Sequence, residues 1–103
     1  MKTIMLVCSA GMSTSLLVSK MQKAAAAENY DSEIFAVGAS EADSMLESKP
    51  VDVLMLGPQV RFMKDEFEKK VADKDIPVEV INMQDYGMMN GGKVLATAKT
   101  LLK

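Results

Sequence analysis

The chain has 103 residues, 49% of them hydrophobic, a formal charge of −2, one cysteine and no histidine. That suffices for one compact core and argues against two, so residues 1–103 are expected to form a single domain. Interspersed charges leave no basic stripe for nucleic acid, a lone thiol excludes an internal disulfide and a cysteine-rich metal cage, and the commonest metal ligand and general base is missing.

In chain order, residues 3–8 (TIMLVC) form a continuous apolar run that is too short for a helix and suits a strand buried on both faces. From Ser13 the period changes. Leu17, Met21, Ala24 and Ala25 fall on one face of a helix that ends near Asn29. Residues 33–37 (EIFAV) make a second strand. Ser40 followed by Asp43 resembles a helix-start cap, with Ala42, Met45 and Leu46 turned inward and Pro50 closing the segment. Residues 52–56 (DVLML) repeat the buried-strand pattern. Pro58 then suits the first turn of a third helix whose inward face is Val60, Met63, Phe67 and Val71. Residues 78–81 (VEVI) give a fourth strand, and a last helix after Gly91-Gly92 carries Val94, Leu95, Ala98, Leu101 and Leu102 inward.

Strands and helices that alternate through short connections predict an α/β fold with right-handed crossovers. The expected architecture is a flavodoxin-like doubly wound sheet: four parallel strands in the order 2-1-3-4, with helices on both faces. Such sheets place their ligand crevice beyond the carboxyl ends of the strands, beside the switch point next to the first strand. Cys8 stands at that end. No apolar run reaches the ~20 residues of a membrane span, and the first residues lack a signal-peptide pattern, so a cytoplasmic location is expected.

A strand-end cysteine is often simple packing, because free cysteine behaves as a small buried hydrophobe. The residues that follow, Ser9, Ala10, Gly11, Met12, Ser13, Thr14 and Ser15, favour a different reading. They are expected to wrap as a loop whose backbone N–H groups converge, joined to the start of the first helix, which together make an anion site. The same partial positive charge favours thiolate over thiol. The hydroxyls of Ser9, Ser13, Thr14 and Ser15 would add hydrogen bonds to an anion or serve equally as helix caps.

At this point CSAGMSTSLLVSKM, with LGPQV, PVEVI and YG further on, resembles the IIB component of the lactose/cellobiose (lactose/N,N'-diacetylchitobiose) type of phosphoenolpyruvate-dependent sugar phosphotransferase system (PTS), a type-3 EIIB domain, over essentially the whole chain. The resemblance implies a phosphocysteine at Cys8, with residues 9–15 as its cradle. It implies a phosphoryl group received from a histidine of a IIA component and passed to a disaccharide-type sugar held by a membrane IIC component. No cofactor or metal is implied. A monomer that works in the cytoplasm and visits the inner face of the membrane is expected.

The loop is also similar to that of low-molecular-weight tyrosine phosphatases, which share this architecture and place an arginine where this chain has Thr14. A guanidinium there would hold phosphoryl oxygens bidentately and stabilise transition-state charge. Without it, hydrolysis should be slow, so a phosphatase or arsenate reductase is the alternative to the carrier reading. A flavin or receiver module fits worse, since the first strand ends in cysteine rather than an acidic pair and aromatic residues are few. For partner docking, Met12, Gln59, Tyr86, Met88 and Met89 all fall at the same end of the sheet. The loop methionines offer a flexible apolar rim or fold back on the core, and Gln59 reaches the site or merely starts the third helix. Met5, Met55 and Met63 sit at inward positions and are expected to fill the core.

Overall fold

A computed structural model of the chain describes residues 1–9 and 12–102, with the backbone alone at Met12 and Ser13. Strands β1 (Lys2–Cys8), β2 (Ser32–Gly38), β3 (Val53–Leu56) and β4 (Val78–Val80) form one parallel sheet in the order β2-β1-β3-β4. Helices α1 (Met12–Ala27), α2 (Ala42–Ser48), α3 (Lys64–Lys70), α4 (Met83–Gly87) and α5 (Gly91–Leu101) cover its faces. The four-stranded order 2-1-3-4 and the two helical layers are those expected.

The apolar runs of β1 and β3 are continuous because each strand feeds two cores. Along β1, Ile4 and Leu6 point toward α1 and α5, where they meet Leu17, Met21, Val94 and Leu95. Met5 and Val7 point the other way, toward Leu46, Val60 and Phe67. Alternation in β3 divides Val53 and Met55 from Leu54 and Leu56 in the same manner. All eight of these strand residues are at most 1% exposed, and Met5 and Met55 fill the core as expected. Burial of each such side chain contributes about 1.5–3 kcal/mol, so the two central strands anchor the fold.

Helix ends follow local chemistry. At the end of α1, Tyr30 N–H donates to Ala25 O at 2.8 Å and Asn29 N–H to Ala26 O at 3.2 Å, while Asn29 takes a left-handed φ of 57°. This Schellman closure is why the helical pattern fades at Asn29. Gly91, at the first turn of α5, lies against α1 so closely that a β-carbon would meet the Lys20 carbonyl carbon at 2.5 Å and Met21 N at 2.6 Å. The α1–α5 contact therefore has no room for a side chain at that position.

Three details differ from the sequence expectation. Ser40 does not cap the second helix: a 3-10 turn (Ala39–Glu41) precedes α2, and the Glu41 carboxylate accepts from Gly38 N–H at 3.4 Å. The third helix is split into a 3-10 segment (Pro58–Met63) and α3, and the 3-10 segment is itself kinked at Val60, with φ −117° and ψ 23°. Its inward face is nevertheless the expected one, since Val60, Phe67 and Val71 are buried and Met63 is half-buried against them. Finally, α4 occupies what reads as loop, because Asn82 Oδ1 accepts from Gln84 N–H at 2.9 Å and Asp85 N–H at 3.1 Å and starts a short helix.

At the sheet edge, Ile81 N–H donates inward to Leu56 O, so Val80 N–H faces outward, where the Glu79 carboxylate accepts it at 3.1 Å. A charged side chain thus covers the open side of a three-residue strand.

Candidate functional site

Parallel pairing aligns Cys8 with Gly38 of β2 and carries β1 just beyond the last paired residue of β3. Cys8 is 2% exposed and ends β1, while Ser9, next in the chain, is exposed. Three residues after Ser9 the chain enters α1, a helix of 16 residues whose first-turn amide groups lack intrahelical acceptors. In chain order Cys8 therefore falls between the carboxyl end of β1 and the start of a helix, the end at which its dipole is positive. Of the expected cradle, Ala10 and Gly11 lie outside the described residues, as do the side chains of Met12 and Ser13.

Thr14 is fully buried in the first turn of α1. Its hydroxyl lies 3.5 Å from the Tyr86 hydroxyl, and either oxygen can donate. Ser15 is exposed. Tyr86 itself, expected on a docking rim, is only 8% exposed and turns inward from α4. Met88 stays outside at 66% exposure. Met89 takes a φ of 53° at the close of α4, and that left-handed turn directs its side chain onto the core under α1 and α5. Of the three loop methionines, the two whose side chains are described divide between the alternatives, Met88 outside and Met89 packed inward.

On the other side of Cys8, Gly57 leaves β3. Its N–H donates to Val7 O at 2.8 Å and its carbonyl accepts from Val60 N–H at 3.0 Å. Arg61 Nη1 donates to Pro58 O at 3.0 Å, which braces the same turn. Gln59 is exposed, yet its carboxamide folds back over Gly57. Sequence reasoning missed the contribution of Gly57, which looks like ordinary turn punctuation before Pro58.

A separate cleft of about 290 Å³ lies at the outer edge of β4, lined by Met55, Val80, Ile81 and Val94 with Glu79 and Asp85 among its polar groups. Its carboxylates repel an anion, and Cys8 is not part of it. Among the described residues no group of histidine, cysteine and carboxylate side chains is arranged to hold a metal ion.

The pairing of a strand-end cysteine with a helix start is common to several enzyme families, and comparison with known proteins separates them. The family model of the lactose/cellobiose-specific IIB subunit of the PTS system matches residues 3–97. The chain belongs to this IIB family. It is 59% identical to the PTS system galactose-specific EIIB component of Lactococcus lactis subsp. cremoris, with 98% of this chain and 96% of that protein aligned. It is equally 59% identical, over the same shares, to the cellobiose-specific EIIB component of Lactococcus lactis subsp. lactis. Among solved structures it is similar to the cellobiose-specific phosphotransferase IIB component of Borrelia burgdorferi, at 42% identity and a TM-score of 0.78, covering 98% of this chain and 91% of that one. The protein is accordingly a IIB component of a sugar phosphotransferase system, and no helix among its described residues is long and apolar enough to cross a membrane.

Proposed function

We propose that this IIB protein carries a phosphoryl group on Cys8 between a IIA and a membrane IIC component. The observation that carries this reading is the position of Cys8, the sole thiol of the chain, at the carboxyl end of β1 and a short connection before the start of α1. The Cys8 thiolate attacks the phosphorus of the IIA phosphohistidine in line, so the N–P bond breaks as the S–P bond forms. Backbone N–H groups of residues 9–15 take up the charge of the three equatorial oxygens. In the second transfer a sugar hydroxyl attacks, the O–P bond forms with release of the hydroxyl proton, and the thiolate leaves.

Thr14 supplies no positive charge where a phosphatase would carry arginine, which supports a loop that holds the phosphoryl group and activates no water against it. The protein acts as a monomer in the cytoplasm and meets IIC at the inner face of the membrane. Its substrate is a disaccharide-type sugar. Equal identity to carriers named for galactose and for cellobiose supports a division of labour in which IIC selects the sugar.

The test is incubation with phosphoenolpyruvate, the general phosphotransferase proteins and candidate IIA proteins, followed by intact-mass analysis. One phosphoryl group on wild type, absent from Cys8→Ser and dependent on IIA, is the expected result. Turnover of a small phosphoester or of arsenate by the isolated chain would instead identify a phosphatase or a reductase.

A further inference from the structure

Gly57 has φ −63° and ψ 151°, extended backbone open to any residue, so the glycine is not there for conformational freedom. It is there for space. A β-carbon at Gly57 would stand 2.9 Å from Gln59 Oε1, a separation that real β-carbons do not tolerate, but only 3.5 Å from Val7 O and 3.6 Å from Cys8 Cβ, which are ordinary contacts. The missing methyl therefore leaves room for the Gln59 carboxamide over Gly57, which itself lies against Cys8, and a half-turn about the terminal bond of Gln59 exchanges its oxygen for the N–H group. The turn that carries Gln59 is held by Gly57 N–H to Val7 O, Val60 N–H to Gly57 O and Arg61 to Pro58 O. Pro58 adds a fixed φ at the first position of the segment.

We propose that Gln59 donates its carboxamide N–H to an oxygen of the phosphoryl group on Cys8, and that Gly57 is the clearance that lets it do so. This inference rests on the carrier reading of Cys8. A carboxamide suits a carrier better than a guanidinium does. It binds an equatorial oxygen and fixes the group's orientation, yet adds no positive charge to favour attack by water. Gln59 is also exposed, so it stands at the mouth of the site, where an arriving donor or acceptor meets the group.

A residue that only docks partners would change rates of transfer but not the equilibrium between free proteins, because docking contacts are absent from separated reactants and products alike. A residue that holds the phosphoryl group must move that equilibrium. The experiment mixes phosphorylated IIA with the IIB protein and reads phosphohistidine and phosphocysteine at equilibrium by phosphorus NMR, for wild type, Gln59→Leu, Gln59→Glu and Gly57→Ala. Loss of one hydrogen bond to a charged group shifts the equilibrium roughly ten- to a hundredfold toward IIA in Gln59→Leu. Gln59→Glu shifts it further by repulsion, and Gly57→Ala shifts it in the same direction by displacing the carboxamide. An equilibrium in Gln59→Leu equal to that of a fully labelled wild type overturns the inference while leaving the carrier reading intact. Absence of label from wild type overturns both.

Discussion

The two ends of the sheet are built from similar polar parts and use them differently. At the amino end, Thr3 N–H donates to Asp52 Oδ2 at 2.7 Å and Asp52 N–H returns a bond to Thr3 O at 2.9 Å. This short reciprocal pair closes the start of the β1–β3 ladder. At the carboxyl end, the Thr14 and Tyr86 hydroxyls face each other at 3.5 Å, and an exposed carboxamide lies over Gly57. The amino-end bonds are short and reciprocal and serve stability, whereas at the carboxyl end we propose that the Thr14 hydroxyl and the Gln59 carboxamide serve the phosphoryl group on Cys8. The lysine-based contacts likewise lie on the structural framework: Lys49 pairs with Glu33 over the Phe35 ring, Lys99 pairs with Glu28 over the Tyr30 ring, and Lys70 lies over the Phe67 ring.

Four substitutions test that contrast, and they are ordered by expected effect on stability. Gly91→Ala sets a methyl against the backbone of Lys20 and Met21, which no rotamer change can relieve. The modest helix-propensity gain of alanine does not offset this, so the variant should lose about 3 kcal/mol in urea unfolding. Because α1 leads away from the loop, a shift of that helix should also slow phosphotransfer in the folded fraction.

Asp52→Ala strands the nearly buried Thr3 N–H and should cost about 2 kcal/mol. Transfer per folded molecule should stay at the wild-type rate, since the change is at the end opposite Cys8. Thr14→Val, at the site end, should cost only about 1 kcal/mol, because the 3.5 Å contact it removes is weak. It should nevertheless slow acceptance of the phosphoryl group about tenfold, measured by rapid quench with phosphorylated IIA. If Asp52→Ala slowed transfer and Thr14→Val did not, the contrast between the ends would be reversed.

Lys70→Met should change stability by no more than about 0.5 kcal/mol near neutral pH, as exposed ion pairs do. Hydrogen bonding to Asp43 raises the Lys70 pKa above the ordinary 10.5, offset in part by burial and supported by Glu66. Since the folded value is the higher one, the contribution is complete below about pH 10.5 and is lost as pH rises through the folded value. Thermal unfolding of wild type should therefore converge on that of Lys70→Met in strong base.

Much of this was legible in the sequence, for reasons that differ by element. The strands β1 and β3 announce themselves because both faces are buried and the runs Ile4–Val7 and Val53–Leu56 are wholly apolar. The face of α1 is legible because Leu17, Met21 and Ala25 have one core to meet. The position of Cys8 follows once strand order is known. By contrast, α4 has only five residues, too few to show a period, and its start rests on one asparagine side chain. Tyr86 reads as a rim residue next to glycine, yet the start set by Asn82 turns it inward. The break at Val60 leaves the inward pattern of the third helix unchanged, so periodicity cannot detect it. The clearance at Gly57 depends on a contact with a residue two positions on, which a turn-forming Gly-Pro pair conceals.

The central claim is that the carboxyl end of β1 holds a phosphoryl group in transit. The most direct measurement is a chase: the chain phosphorylated through IIA is purified, its label mapped by peptide mass analysis, and membranes containing the IIC component and sugar are then added. Label confined to Cys8, stable in the isolated protein and transferred to sugar on addition of the membranes, is the predicted result. Label on another residue, or label lost from Cys8 to water as fast without the membranes as with them, would contradict it.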